Sequence, residues 1–206
     1  LCDPGIRTES RRWRDSIDPH FKRKVVLWTT TSILEDRDRL EILKSLGQLA
    51  TKRPDLALVY RPHPNSVSNF ADLPEGVIGA NNRVDCAAQI AGSDVVLVTI
   101  STTGIEAALL DKPVIKMSFT NPDYRIYADS YPRYDAMAPY EVMGIAHRIE
   151  QIEQLETAID DVTSAGQIAD ALRLARNELP PAGDSAQRVV DALEDVMQSH
   201  SLRRAA

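Results

Sequence analysis

The stretch that decides the fold is Ser93-Asp94-Val95-Val96-Leu97-Val98-Thr99-Ile100-Ser101-Thr102-Thr103-Gly104-Ile105-Glu106-Ala107-Ala108-Leu109-Leu110-Asp111-Lys112-Pro113-Val114-Ile115. Asp94 to Thr99 is apolar on both faces, as a central strand of a parallel sheet must be when helices cover it on two sides. A short polar turn follows. Ile105 to Leu110 then reads as helix, and Pro113 to Met117 as another strand. Strand, helix and strand in that order form one unit of a wound parallel sheet.

Upstream the same alternation holds. Val25-Val26-Leu27-Trp28-Thr29 is a run of β-formers, followed by a polar turn from Thr30 to Asp36. From Arg37 to Lys52, Leu40, Leu43, Leu46, Leu49 and Ala50 recur at three- and four-residue steps, the period of an amphipathic helix that Pro54 ends. Leu56 to Tyr60 is a second strand stopped by Pro62 and Pro64, Val77-Ile78 is a brief third, and Val84 to Ala91 is a short helix. The pattern predicts an α/β fold: a doubly wound, parallel, Rossmann-like sheet with helices on both faces and a helical C-terminal extension.

Residues 118–146 are rich in tyrosine and proline and read as a long loop, with Asn121-Pro122-Asp123 as a turn over the site. Tyr124, Tyr127, Tyr131 and Tyr134 there serve packing or stack on a base or sugar. His147 to Val162, Ala165 to Glu178 and Asp184 to Ser199 read as helices, with a break at Pro180-Pro181-Ala182-Gly183. The predicted organisation is residues 1–24 as a linker or appendage, 25–200 as the Rossmann-like domain and 201–206 as a frayed tail.

The chain has 206 residues and a net charge of −6, with 43% hydrophobic and 26% charged residues. These values fit one globular domain and exclude wholesale disorder. The acidic balance argues against a nucleic-acid partner but leaves room for a local phosphate pocket. Cys2 and Cys86 make no disulfide framework, which points to a reduced, cytoplasmic compartment. No His/Cys/Asp cluster has metal-ligand spacing, so neither a metal nor a cofactor is expected.

Two groups of residues could carry chemistry. Arg61-Pro62-His63-Pro64-Asn65 leaves the second strand, and ligands in open parallel sheets bind beyond the carboxyl ends of strands. An Arg fork, an imidazole donor and Asn65 suit a phosphate, with the prolines fixing the backbone; the plain alternative is a Pro-rich turn with a surface His. Ser101-Thr102-Thr103-Gly104 precedes a helix, where hydroxyls and free backbone N–H groups attract anions. It is neither a Walker loop nor a dinucleotide fingerprint. Its plain alternative is ordinary helix capping. Glu106 in the first helical turn either complements the helix dipole or accepts hydrogen bonds from a ribose or sugar diol. If the second and fourth strands flank the first, both groups border one crevice. Among other candidates, Asp85 reads as a helix start, Cys86 as a small buried residue, and His20, His147 and His200 as surface groups.

The paired motifs resemble the C-terminal, nucleotide-sugar-binding half of a GT-B glycosyltransferase, with the bacterial capsule, teichoic-acid and sialyl-transfer groups most similar. Gly183 to Leu193 is also similar to the closing helix of such enzymes. The resemblance implies that His63 is catalytic, stabilising the leaving phosphate with help from Ser101, Thr102 and Thr103. It implies a CMP-, CDP- or UDP-linked donor and a carbohydrate or lipid-linked acceptor. The position eight residues after Glu106 is Val114, so the Glu-x7-Glu pair of retaining members is absent and an inverting sugar or glycerophosphate transferase is expected. The family's acceptor-activating base lies in an N-terminal Rossmann half. The chain opens on Leu1 and its first 24 residues resemble the segment that crosses between halves. An isolated or truncated donor-binding domain, inactive alone, is therefore expected, with any peripheral membrane association assigned to the missing half. The alternatives are a UDP-N-acetylhexosamine 2-epimerase relative and a non-catalytic flavodoxin-like interaction domain.

Overall fold

The computed structural model describes residues 3–31, 36–65, 73–99, 101–118, 144–164 and 185–204. The tyrosines at 124, 127, 131 and 134, the turn at 121–123, the helix read over 165–178 and the break at 180–183 lie outside them.

The element order is α1 (Pro4–Ile17), β1 (Lys24–Thr29), α2 (Asp36–Lys52), β2 (Leu56–Arg61), β3 (Val77–Gly79), α3 (Cys86–Gly92), β4 (Val95–Val98), α4 (Thr103–Leu109), β5 (Val114–Met117), β6 (Ala146–Ile149), a 3-10 turn (Ile152–Gln154), α5 (Leu155–Val162) and α6 (Ser185–Arg204). The strands form one six-stranded sheet in the order β3-β2-β1-β4-β5-β6, and every pairing is parallel. The fold is thus the doubly wound, Rossmann-like sheet that the alternation predicts.

Alternating side chains divide the sheet's two faces. Val26, Trp28, Leu58, Tyr60, Leu97 and Ile115 pack under Ile42, Leu43 and Leu46 of α2 and Ile159 of α5. Val25, Leu27, Val59, Val96 and Val98 pack under Trp13 of α1, Ile90 of α3 and Ala107 of α4. Each buried Val, Leu or Ile side chain contributes about 1.5–3 kcal/mol, so β4, buried at every position, is anchored from both sides.

Two elements differ from the sequence expectation. Residues 4–17 lack an apolar period, yet they form a helix capped by the Asp3 carboxylate, with Pro4 in its first turn. Only Ser10, Trp13 and Ile17 are buried along it, a stripe too thin to register as a period. The Arg14 guanidinium then ties the helix down, donating to the Gly92 carbonyl at 3.0 Å, Asp94 Oδ2 at 2.7 Å and the Arg23 carbonyl at 2.8 Å. The second difference lies at 147–149, which are not the start of a helix but part of edge strand β6. His147 and Arg148 face solvent there and only Ile149 reaches the core, so four residues carry no strand signature of their own. The helix begins afterwards, at Leu155.

A charged latch joins α2 to α5. Arg53 bonds Asp55 and both carboxylate oxygens of Asp160, and Lys52 bonds Glu156. Hydrogen bonds from Arg53 hold Asp55 and Asp160 below the usual carboxylate range, and Lys52 does the same for Glu156. Depressed carboxyl pKa values stabilise the folded state above the unfolded value and lose that support as pH falls through the folded one. In α6, Val189, Leu193, Val196 and Met197 lie on one side of the helix and are all exposed. Among the described residues no helix is long and apolar enough to cross a membrane.

Two outcomes test this packing. A Cβ on Gly92 would sit 2.7 Å from Trp13 Cε3 and 3.0 Å from the Ser10 carbonyl oxygen. Gly92→Ala is therefore expected to cost about 1–3 kcal/mol through overpacking. A lowered urea midpoint reads this out; an unchanged midpoint would show that α1 is not seated as described. Arg53→Ala should flatten the acid limb of stability, so that wild type and variant differ in urea midpoint at pH 7 and converge as pH falls through the lowered carboxylate values of the folded state.

Candidate nucleotide-phosphate site

The strand order places β1 directly between β2 and β4. The loop carrying His63 and the loop carrying Ser101 to Gly104 therefore leave the sheet on either side of the β1 terminus, the condition for one crevice. That terminus is Thr29-Thr30-Thr31, with Thr29 and Thr30 buried.

Thr30 organises the first wall. Its backbone N–H donates to the Arg61 carbonyl at 3.1 Å, extending the β1–β2 ladder by one bond. Its hydroxyl accepts the His63 backbone N–H at 2.8 Å. Pro62 is buried beside it, so the chain turns outward at His63 with little freedom. The half-buried His63 ring accepts the Asn65 N–H at Nδ1, 3.1 Å away. A ring nitrogen that accepts carries no proton, so in the neutral imidazole the proton sits on Nε2, the nitrogen left for a ligand. Asn65 meets His63 through its backbone N–H, and the residue is exposed.

Arg61 faces the α3 side of the sheet. Its Nη1 donates to the Val84 carbonyl at 3.1 Å and to Gln89 Oε1 at 2.7 Å. Gln89 is fully buried and passes a further bond from Nε2 to the Asn81 carbonyl at 2.8 Å. This chain joins the end of β2 to the loop after β3 and to α3. Asp85 caps α3 through a 2.7 Å bond from the Ala87 N–H, the helix start read from sequence. Burial pushes the neighbouring Cys86 thiol up; Arg61 opposes the shift, while Glu106 and Asp85 add to it. The thiol stays protonated and unsuited to nucleophilic work.

The second wall is built from hydroxyls. Ser101 Oγ and Thr103 Oγ1 are 2.8 Å apart, and the Thr103 N–H points to Ser101 Oγ at 3.3 Å. Thr102 occupies the cap position of α4 without a side-chain capping bond, and it is exposed. The Gly104 N–H makes only a long 3.3 Å bond to the Ser101 carbonyl, whereas the Ile105 and Glu106 N–H groups are taken by the Thr102 carbonyl at 2.9 and 3.2 Å. Gly104 is buried, and Glu106 sits in the first turn of a seven-residue helix. So short a helix carries a weak dipole, and polar attraction here falls mainly on the Ser101, Thr102 and Thr103 hydroxyls.

Sequence reasoning passed over three polar groups that the structure places at these strand ends. Thr30 is one; the run Thr29-Thr30-Thr31 just past a β-forming stretch was its signal. Thr29 Oγ1 and Thr99 Oγ1 are the others, both buried and both without a hydrogen-bond partner among the described residues. A buried hydroxyl left unpaired costs about 1–3 kcal/mol, and the carboxyl ends of β1 and β4 are where a ligand or water would supply the partner.

No family model and no curated protein sequence matches this chain. Solved structures do match in fold. The glycotransferase of kitacinnamycin superposes with a TM-score of 0.59 at 22% identity, covering 86% of this chain and 44% of its own. The wall teichoic acid polymerase TagF gives 0.56 at 14%, covering 94% and 48%. A putative UDP-N-acetylglucosamine 2-epimerase from Listeria monocytogenes gives 0.55 at 16%, covering 97% and 49%. The chain therefore has the fold of one half of GT-B glycosyltransferases and of UDP-N-acetylglucosamine 2-epimerases, and it spans about half the length of those proteins.

Thr30→Val removes the acceptor for the His63 N–H while keeping the volume. It is expected to destabilise by about 1–3 kcal/mol and to broaden the His63 imidazole resonances in NMR spectra. A sharp, unshifted His63 signal would mean that Thr30 does not set the loop.

Proposed function

We propose that this chain is the donor-binding half of an inverting GT-B transferase, a glycosyltransferase or glycerophosphotransferase of bacterial surface polysaccharide. The observation that carries the reading is the β2-β1-β4 adjacency, which sets an Nε2 donor and a cluster of hydroxyls on two sides of one strand end. In this reading His63 Nε2–H and the Ser101, Thr102 and Thr103 hydroxyls hold the phosphates of a CMP-, CDP- or UDP-linked donor. As the bond to the sugar or alditol breaks, negative charge grows on the departing phosphate, and donors already in place stabilise it. Gly104 lets the phosphate approach the backbone, and Glu106 accepts from the ribose or sugar diol. Arg61 works at one remove: its bonds to Val84 and Gln89 hold the end of β2 against α3, while its charge adds to the potential at the crevice.

The activity of the whole enzyme belongs to a larger assembly in this reading. The matched proteins are about twice as long, and the exposed apolar side of α6 offers a second Rossmann half something to cover. That half would bring the acceptor, carbohydrate or lipid-linked, and the group that activates it. A 2-epimerase role is the second reading, favoured by the Listeria enzyme's equally extensive overlap.

Calorimetric titration with CMP, CDP, UDP and GDP tests the site. Binding of at least one is expected, weakened about tenfold or more by His63→Ala and by the Ser101→Ala/Thr103→Ala pair. Silence with all four, or equal affinity in the variants, would overturn the reading. Incorporation of deuterium at C2 of a UDP-N-acetylhexosamine in heavy water, on reconstitution with the second half, would move the assignment to the epimerase.

A further inference from the structure

A second polar cleft lies at the other end of the sheet. The middle of α1, the end of α3, the approach to β4 and the turn before β5 border an open cleft of about 510 Å³, a size suited to a small ligand. These segments lead into strands, whereas the His63 and Ser101 loops lead out of them, so the two sites face opposite ways.

The cleft is basic in an acidic protein. Arg7, Arg11, Arg14 and Lys112 line it against the two carboxylates Asp94 and Asp111, in a chain of net charge −6. Asp94 is already committed: its Oδ2 takes Arg14 Nη1 and the Val25 N–H, each at 2.7 Å. Arg7 and Arg11 are one helical turn apart on the side of α1 that lines the cleft, both are exposed, and among the described residues neither side chain makes a hydrogen bond or ion pair. Two adjacent guanidinium forks offer an anion a pair of charge-assisted donors.

Phe21 completes the wall. It has a φ of 50°, a conformation that a bulky side chain rarely takes, and the residue is 59% exposed. The turn at Asp18 holds it there, where the ring lies 5.8 Å from the Arg14 guanidinium carbon. An exposed aromatic residue in the same cleft as Arg7 and Arg11 fits a ligand with an anionic head and an organic body.

We propose that this cleft binds a phosphate ester, the phosphate between Arg7 and Arg11 and the organic part against Phe21. The ester is either a phospholipid headgroup or a soluble metabolite, and the test separates the two. The full chain is titrated with inorganic phosphate and with phenyl phosphate, followed by backbone NMR. It is also sedimented with phosphatidylcholine vesicles with and without phosphatidylglycerol.

Shifts are expected at residues 7–11, 21 and 112, weakening as salt rises. Arg7→Ala/Arg11→Ala should lower affinity about tenfold, and Phe21→Ala should remove the preference for phenyl phosphate over inorganic phosphate. Capture by phosphatidylglycerol vesicles without phenyl phosphate binding assigns the lipid source; the converse assigns a soluble ester. Three results overturn the proposal: no response to any probe, equal affinity in the double variant, or binding lost in His63→Ala but kept in Arg7→Ala/Arg11→Ala, which would place the phosphate in the other crevice. Arg7 and Arg11 make no internal contact that folding needs, and circular dichroism verifies that the variant is intact.

Discussion

Strand β1 is pinned on both flanks, and the geometry of the candidate site follows from that constraint. β2 pairs with it from Lys24 to Thr29, and β4 from Val26 to Trp28. At its start, the Asp94 carboxylate accepts the Val25 N–H while holding Arg14. At its end, Thr30 takes over, with one bond to the Arg61 carbonyl and one from the His63 N–H. A strand fixed in this way leaves its neighbours' loops no choice of position. Shifting β1 by one residue would exchange its two apolar faces and detach both motifs at once.

The polar residues around the crevice divide into those that hold and those left over. Arg61, Gln89, Thr30 and Asp85 have their bonds inside the protein, and between them they join β1, β2, α3 and the loop after β3. Among the described residues, His63 Nε2 and the exposed Thr102 hydroxyl have no such duties. For the proposed role this separation would serve preorganisation, because groups meant to meet a ligand are then oriented by others that do not move when it arrives. The unpaired Thr29 and Thr99 hydroxyls fit the same pattern, since a protein tolerates an unmet buried hydroxyl more readily where a ligand or water completes it.

Much of this arrangement was legible in the sequence because the parallel strands are written as uninterrupted apolar runs. Val95 to Val98 could be nothing but a central strand, and α2 announced itself through Leu43, Leu46 and Leu49. The adjacency of the two motifs followed once the strand order was assumed. What stayed hidden was built from few or long-range contacts. Helix α1 rests on Trp13, Ile17 and one arginine whose partners are 9 to 80 residues away. Edge strand β6 buries a single apolar side chain beyond the half-buried Ala146, so its pattern matched a helix as well as a strand. Arg61 looked like an anion fork because its neighbours in sequence are polar; its partners in space, Val84 and Gln89, carry no mark in the local sequence.

The two ends of the sheet also differ in how they would attract an anion. At the carboxyl end the groups are mostly hydroxyls and one imidazole, and the Arg61 guanidinium is bonded toward α3. Such a site works at short range and favours an anion that fits. At the amino end the attraction comes from exposed guanidinium groups, acts over a Debye length of about 8 Å at physiological salt, and weakens as salt rises. Selective recognition is therefore better suited to the His63 crevice, and capture from solution or from a charged surface to the Arg7–Arg11 cleft. The net charge of −6 sharpens that contrast, because a small basic cleft on an acidic surface concentrates the protein's positive potential in one place.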